Sequence, residues 1–305
     1  MEALSKARTR THQSEHHRRV VGTILTLPAF LTHALIVSIP SLTMFYYALT
    51  DWNGLGKPNF IGLANFAKML KDVDFGMAVI NNLKWMTWFL VVPLVLGLGL
   101  ALLFTRMGKM QMVFRALCFL PYVVSSVVAG EVFSSFYSPF VGIGSLFESL
   151  KFAPLGNTKI ALLAVAFVDN WHWWGFVLVL MISALHQVDM ELYDAAAIDG
   201  TNTFQKFFYI TLPQIKNSIL SYLVFNIVAC WKTFDYVWIM TQGGPAGSTE
   251  LVATWIYKKT FISYDVGYGC ALSLTVCVTI LVIYVLQSVI RGIVTRHAAR
   301  GTGVA

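Results

Sequence analysis

Apolar residues along this chain fall into runs of near twenty, separated by shorter polar segments. Six such runs lie at about 20–46, 83–105, 116–138, 160–184, 217–241 and 266–290. A run of that size, wound as a helix, crosses a hydrocarbon layer about 30 Å thick. The pattern therefore predicts an all-α, polytopic membrane protein with six transmembrane helices. Val20 to Thr50 contains no Asp, Glu, Lys or Arg. That is too long for the apolar core of a cleaved leader, about 7–15 residues, so the segment is expected to stay as an anchor. Charge interrupts three runs: Glu131 in the third, Asp169 in the fourth, Lys232 and Asp235 in the fifth.

Composition agrees. Of 305 residues, 57% are hydrophobic and 12% charged, against about 25% charged in a soluble domain. The net charge of +7 could suggest nucleic acid, but the positions of the basic residues argue for topology instead. With the N-terminus inside, thirteen lie in cytoplasmic segments, eight in outer loops counting Lys84 at the edge of the second run, and one, Lys232, within a run; all nine arginines fall on the inner side. This bias orients a membrane protein. It divides the chain into a basic cytoplasmic tail at 1–19, a six-span domain at 20–290 and a cytoplasmic tail at 291–305. The four cysteines, Cys118, Cys230, Cys270 and Cys277, sit in apolar segments without metal-ligand spacing and read as small hydrophobes. No metal site is expected. No GxxxxGK[ST] phosphate loop is present, and GLGKP at 54–58 is an outer-face turn, so the chain is not expected to bind ATP in that way. No internal duplication is visible, which weakens an inverted-repeat transporter.

One polar stretch stands apart. The loop from Gln187 to Lys216 joins the fourth and fifth runs on the cytoplasmic side and exceeds what an antiparallel helix connection needs. Leu192, Ala195, Ala196 and Ala197 favour a helix over Met190–Ile198, and Glu191 suits its first turn. Gly200 is placed to end that helix with a left-handed residue. Thr201, Asn202 or Thr203 can cap a second helix through Ile210, and Pro213 fits the start of the next span. Three alanines are expected to leave one face flat for another protein. The bland alternative is a plain connector.

The stretch resembles the EAA loop of ABC importer permeases. The match comprises Asp194-Ala195-Ala196, then Gly200, then Ile210-Thr211-Leu212-Pro213, with Asp199 and Phe204–Phe207 pointing to the carbohydrate branch. Asp194 stands where the family usually has Glu, one methylene longer. Further matches are Asn59–Phe66, Thr241–Pro245, Ser248–Glu250, Ile256-Tyr257 and Gly267–Ser273, so the resemblance covers about 24–290 and is nearest to maltose and glycerol-phosphate type permeases that come first in a two-permease pair. It implies that the loop at 187–213 is a cytoplasmic coupling helix docking on an ATPase subunit through Glu191, Asp194, Ala195, Ala196, Asp199 and Gly200.

Polar residues at membrane depth are functional candidates. Tyr122 and Ser126, four apart, are expected to share a helix face, as are Asn226, Cys230 and Thr233. Asn170 to Trp174 crowd an amide, an imidazole and three indoles together. Mixed amide, hydroxyl and aromatic walls suit sugars. The resemblance implies sugar contacts at Tyr122, Ser126, Asn226, Cys230 and Thr233, with others near His172 and Phe176; Cys230 departs from the polar amide expected there. Each has a second reading. Ser125 and Ser126 suit close helix packing, Tyr122 an interfacial belt, His172 an interior hydrogen bond, and the three tryptophans packing. Lys232 and Asp235, three apart, are expected to neutralise one another, while Glu131 and Asp169 are expected to face the bundle interior or a polar cavity.

These readings converge on a permease subunit of a binding-protein-dependent ABC importer in a bacterial or archaeal inner membrane, both termini cytoplasmic, moving a sugar or sugar-like solute by ATP-driven alternating access. The implied partners are a second homologous permease, two ATPase subunits, an extracytoplasmic solute-binding protein, the carbohydrate itself and membrane lipid; nucleic acid is not among them. The chain does no covalent chemistry and needs no cofactor of its own, ATP and Mg belonging to the ATPase subunits. The alternatives are a secondary transporter driven by an ion gradient, with Glu131, Lys232 and Asp235 as a proton relay, and a membrane scaffold or sensor without transport.

Overall fold

A computed structural model describes residues 21–105, 107–146 and 153–301; side chains at 144, 146 and 290–301 are outside the description. The N-terminal tail at 1–19 and Arg106 thus lie outside the described residues. Five helices are long and apolar enough to cross a membrane, and a bent pair makes a sixth span. Among the described residues there is no strand, only an isolated bridge between Thr50 and Phe60.

The first span, α1 (Val21–Tyr47), has no buried residue in its best membrane window. Its apolar surface faces away from the rest of the chain, towards lipid or another subunit. Short helix α2 (Ala64–Met69) follows on the outer side, where buried Asn65 donates to the carbonyls of Ala48 (2.9 Å) and Thr50 (2.8 Å) and fastens the turn after α1.

Helix α3 (Val73–Phe104) starts ten residues before the apolar run at 83 suggests. Asp72 caps it by accepting from the Phe75 N–H at 3.0 Å. Asn81 and Asn82, which look like loop residues, are buried inside it. Burial raises the Asp72 carboxyl, but hydrogen bonds from the Tyr268 hydroxyl, the Phe75 N–H and the Trp255 indole outweigh it and hold its pKa below the ordinary value.

The third span is broken. Helices α4 (Gln111–Val123) and α5 (Ser126–Phe136) meet at 91° across Val124 and Ser125, both extended. Pro121, which has no N–H to give the preceding turn, lies at the end of α4. Helix α6 (Ala161–Leu185) is the centre of the bundle and carries much of the core: Val165 and Val168 on the outer half, Val177, Leu178, Met181 and Ile182 on the inner half. It packs tightly on α4. A Cβ at Gly175 would stand 2.2 Å from the Cys118 carbonyl oxygen, so only glycine allows that approach.

After α7 (Met190–Ile198) a single turn, Thr203–Lys206, runs through a wider turn, Phe207–Thr211, into α8 (Leu212–Lys232). The fifth span also breaks: Thr233 is extended, and α9 (Asp235–Met240) resumes beyond Phe234. Helix α10 (Val252–Tyr257) lies at the same end of the bundle as α2, with its Trp255 bonded to Asp72, and α11 starts the last span at Val266. Its backbone stays helical to Gly301, so residues 291–301 prolong the last helix. The reason is local: the Arg and Ala residues there are good helix formers.

Candidate functional site

The two breaks face one another. Ser126, first residue of α5, donates to Asp235, first residue of α9, at 2.8 Å. A carboxylate beside a helix N-terminus is well placed, because the first N–H groups there lack intrahelical acceptors. Tyr122 and Ser126 therefore do not share a helix face: the chain turns by 91° between them. Nor do Lys232 and Asp235 pair. Among the described residues the ion pairs are Lys68–Asp265 and Lys258–Glu250, because α8 ends at Lys232 and the helical spacing that would bring position 235 alongside is lost.

Breaks inside a membrane free backbone groups that lipid cannot satisfy, and polar side chains supply the partners. His172 Nε2 donates to the Val124 carbonyl at 2.7 Å. Asn82 Nδ2 donates to the Cys230 carbonyl at 3.0 Å, while its Oδ1 accepts from the Val252 N–H at 2.8 Å, tying the second break to the start of α10. A third free carbonyl is made by Pro93 inside α3, which leaves Phe89 without its usual N–H donor. Asn226 Nδ2 (2.8 Å) and the Tyr222 hydroxyl (3.2 Å) donate to that oxygen.

These bonds sort the expected ligand contacts. Tyr122, His172 and Phe176 do come together: Tyr122 stacks on Phe176 at 5.3 Å and lies 5.6 Å from the His172 ring, with Trp173 5.7 Å away. His172 also approaches Tyr236 of α9 at 6.0 Å, so one side chain of α6 touches both broken spans. Cys230 and Thr233 line a cavity of about 180 Å³ with Asp169, Trp173, Phe234 and Asp235. Asn226 is different. It is fully buried, its amide nitrogen serves α3, and it does not reach that cavity. Asp169 faces the cavity, as its charge suggested, and Glu131 is exposed on this chain and does not line that cavity. Asn82 and Phe234 are the members that the sequence alone did not single out.

At the other end of the bundle, α7 forms a protruding tip. Asp189 caps it by accepting from the Glu191 N–H at 3.0 Å. Its far end is a Schellman closure: the Gly200 N–H bonds the Ala197 carbonyl (3.2 Å), the Thr201 N–H bonds that of Ala196 (3.1 Å), and Gly200 takes φ +72°. Asn202 and Gln205 then exchange side-chain and backbone bonds in a capping box. Glu191, Asp194, Ala195, Asp199 and Gly200 are exposed, whereas Ala196 is buried against its own chain. The flat alanine face expected for a partner is thus reduced. The outward apolar surface comes instead from Met190 (68% exposed), Ile198 (88%) and Phe204 (74%). A groove of about 880 Å³ runs beside the tip between Leu102, Leu185, Tyr193 and Phe207.

A long helix joins the tip to the breaks. Tyr193 of α7 hydrogen-bonds Thr211 at 2.8 Å, and Lys206 reaches the Tyr193 carbonyl at 3.4 Å. From Thr203 the chain then winds without a gap to Lys232, roughly 45 Å at 1.5 Å per residue. A bundle with a polar seam across its apolar interior, mechanically tied to an exposed tip, belongs to membrane transport.

Residues 93–298 match the family model described as the binding-protein-dependent transport system inner membrane component, and the chain belongs to that family. It is a transmembrane permease subunit of a binding-protein-dependent ABC importer, a multi-pass protein of the inner membrane. A probable ABC transporter permease of Pyrococcus horikoshii is 30% identical over 267 residues, 85% of this chain and 91% of that one. A probable starch degradation products transport permease of Thermoanaerobacterium thermosulfurigenes is 28% identical over 268 residues, 85% and 90% of the two chains. Among solved structures, a chain of a bacterial alginate ABC transporter, in complex with an alginate pentasaccharide-bound periplasmic protein, shares the fold at TM-score 0.79 and 19% identity, covering 90% of this chain and 94% of that one.

Proposed function

We propose that this chain forms one half of the pore of a carbohydrate importer. A second, homologous permease supplies the other half, two separate ATPase subunits bind ATP and Mg beneath the pair, and an extracytoplasmic binding protein delivers the ligand. Both termini and the α7 tip face the cytoplasm. The observation that carries this reading is the continuous path from tip to seam. A push on α7 passes through Tyr193 and Thr211 into α8, whose far end is the break at Thr233. The pair switches between inward- and outward-facing states as rigid bodies move. Glu191, Asp194, Ala195, Asp199 and Gly200 meet the ATPase, while Ala196 is buried and Tyr193 holds α7 onto its own bundle. Tyr122, Ser126, His172, Phe176, Cys230 and Thr233 border the ligand's path, with Asn226 bracing α3 behind them. The relative named for starch degradation products supports the sugar class.

The energy source tests this directly. Cells expressing the chain with its neighbouring genes are given labelled oligosaccharides, and uptake is followed under ATP depletion or a protonophore. Uptake is expected to stop on ATP depletion and to continue with the protonophore while ATP is held constant. The opposite pattern would favour the ion-gradient reading.

A further inference from the structure

The cavity at the second break contains more charge than the fold needs. Its wall holds Asp169, Lys232 and Asp235 beside Thr233 and the rings of Trp173 and Phe234. No backbone N–H donates to Asp169 or Asp235 among the described residues, so neither carboxyl is there to mend the backbone. Asp169 has no hydrogen bond or ion pair among the described residues, and Asp235 receives only the Ser126 hydroxyl. Lys232 and Asp235 are exposed and mark the open side. Carboxyl groups at membrane depth are costly and are kept where they pair or line a ligand path.

The size of the cavity fits a shared site. About 180 Å³ falls below the roughly 300–1,000 Å³ of a complete small-molecule pocket, as expected if this chain provides one wall. That wall offers flat apolar rings and acceptor oxygens. A carboxylate on the open side of the wall, as at exposed Asp235, accepts hydrogen bonds and cannot donate them. Hydroxyl or ammonium groups on a ligand would satisfy both carboxyls, with sugar C–H faces lying on the rings. A ligand carboxylate would instead bring a third acid to a wall with two carboxyls and one ammonium.

We propose that Asp169 and Asp235 are ligand-contact residues that admit uncharged or amino-bearing sugars and reject acidic ones. This rests on the translocation reading, since only a subunit that passes a ligand exposes this wall to one. The probe is a single cysteine at Thr233→Cys, with Cys118, Cys230, Cys270 and Cys277 replaced by alanine, in the full chain purified with its co-expressed subunits. Rates of labelling by a cationic trimethylammonium-ethyl and an anionic sulfonato-ethyl methanethiosulfonate are each divided by the rate with a free thiol in solution. The normalised ratio should favour the cation by about tenfold or more, the range over which charged clefts concentrate counter-ions. Asp169→Asn and Asp235→Asn should each lower it, and each is read separately so that one poorly folded variant does not decide the result. A ratio near one, a ratio indifferent to both substitutions, or no labelling by either reagent would overturn the proposal. The subunit composition of the same preparation is scored independently, so a missing ATPase would count against the importer reading and not against the charge of the wall.

Discussion

Replacing Gly200 with valine should reduce ATP-driven uptake about tenfold or more while the chain still folds and inserts. Gly200 occupies φ +72°, a conformation that costs an L-residue roughly 1–2 kcal/mol, most for a branched side chain. A Cβ there meets nothing within 4 Å in this chain, so the bundle itself has no steric reason to collapse. What changes is the joint. The closure onto Ala196 and Ala197 aims the Asn202–Gln205 box and everything that follows, and re-aiming it moves the exposed face of α7 relative to α8. Reconstituted vesicles would be assayed for ATP hydrolysis and uptake together. The expected result is hydrolysis that persists while uptake per ATP falls, with Gly200→Ala in between. Coupled transport unchanged in Gly200→Val would refute the docking role of the tip.

The second large effect is expected at His172. Phenylalanine there keeps a ring between Tyr122 and Tyr236 but removes the donor to the Val124 carbonyl. A buried acceptor left unpaired costs about 1–3 kcal/mol, and the part-buried Val124 carbonyl should lose up to that much. Thermal unfolding of the purified complex should therefore start at lower temperature, and the concentration of sugar needed for half-maximal uptake should rise as the break shifts under Tyr122. His172→Gln, which can still donate, should recover part of both. Wild-type stability in His172→Phe would mean that this bond does not hold the break.

Both substitutions probe features of unequal legibility. The tip was readable because its signals are local: a glycine after a helix, an asparagine three before a glutamine, a proline two residues into the next span. The spans were readable from length alone, and the first was expected at 20–46 and runs over Val21–Tyr47. The early start of α3 was hidden because Asn81 and Asn82 read as loop, and what buries them is the carbonyls of residues far along the chain. The break at Thr233 has neither glycine nor proline to announce it; its main-chain partner, Asn82, lies 148 residues away. Pro121 lies at the end of the helix before the first break and was its cue, although the apolar run at 116–138 reads straight through it. Polar residues at depth were the hardest to divide, since an amide there can face a ligand or mend a backbone. Asn226 does the second, and the cue was Pro93, which frees the Phe89 carbonyl that Asn226 meets. His172 similarly realises its bland reading, an interior hydrogen bond, while still standing beside Tyr122 and Phe176.

The most direct test of the account is to purify this chain in mild detergent with the products of its neighbouring genes and weigh the intact assembly. One copy of this chain with one second permease and two ATPase subunits is the composition expected, and the α1 surface that its own chain leaves uncovered would then be protected from solvent. Recovery of this chain alone or as a homo-oligomer, under conditions that preserve such assemblies, would contradict it.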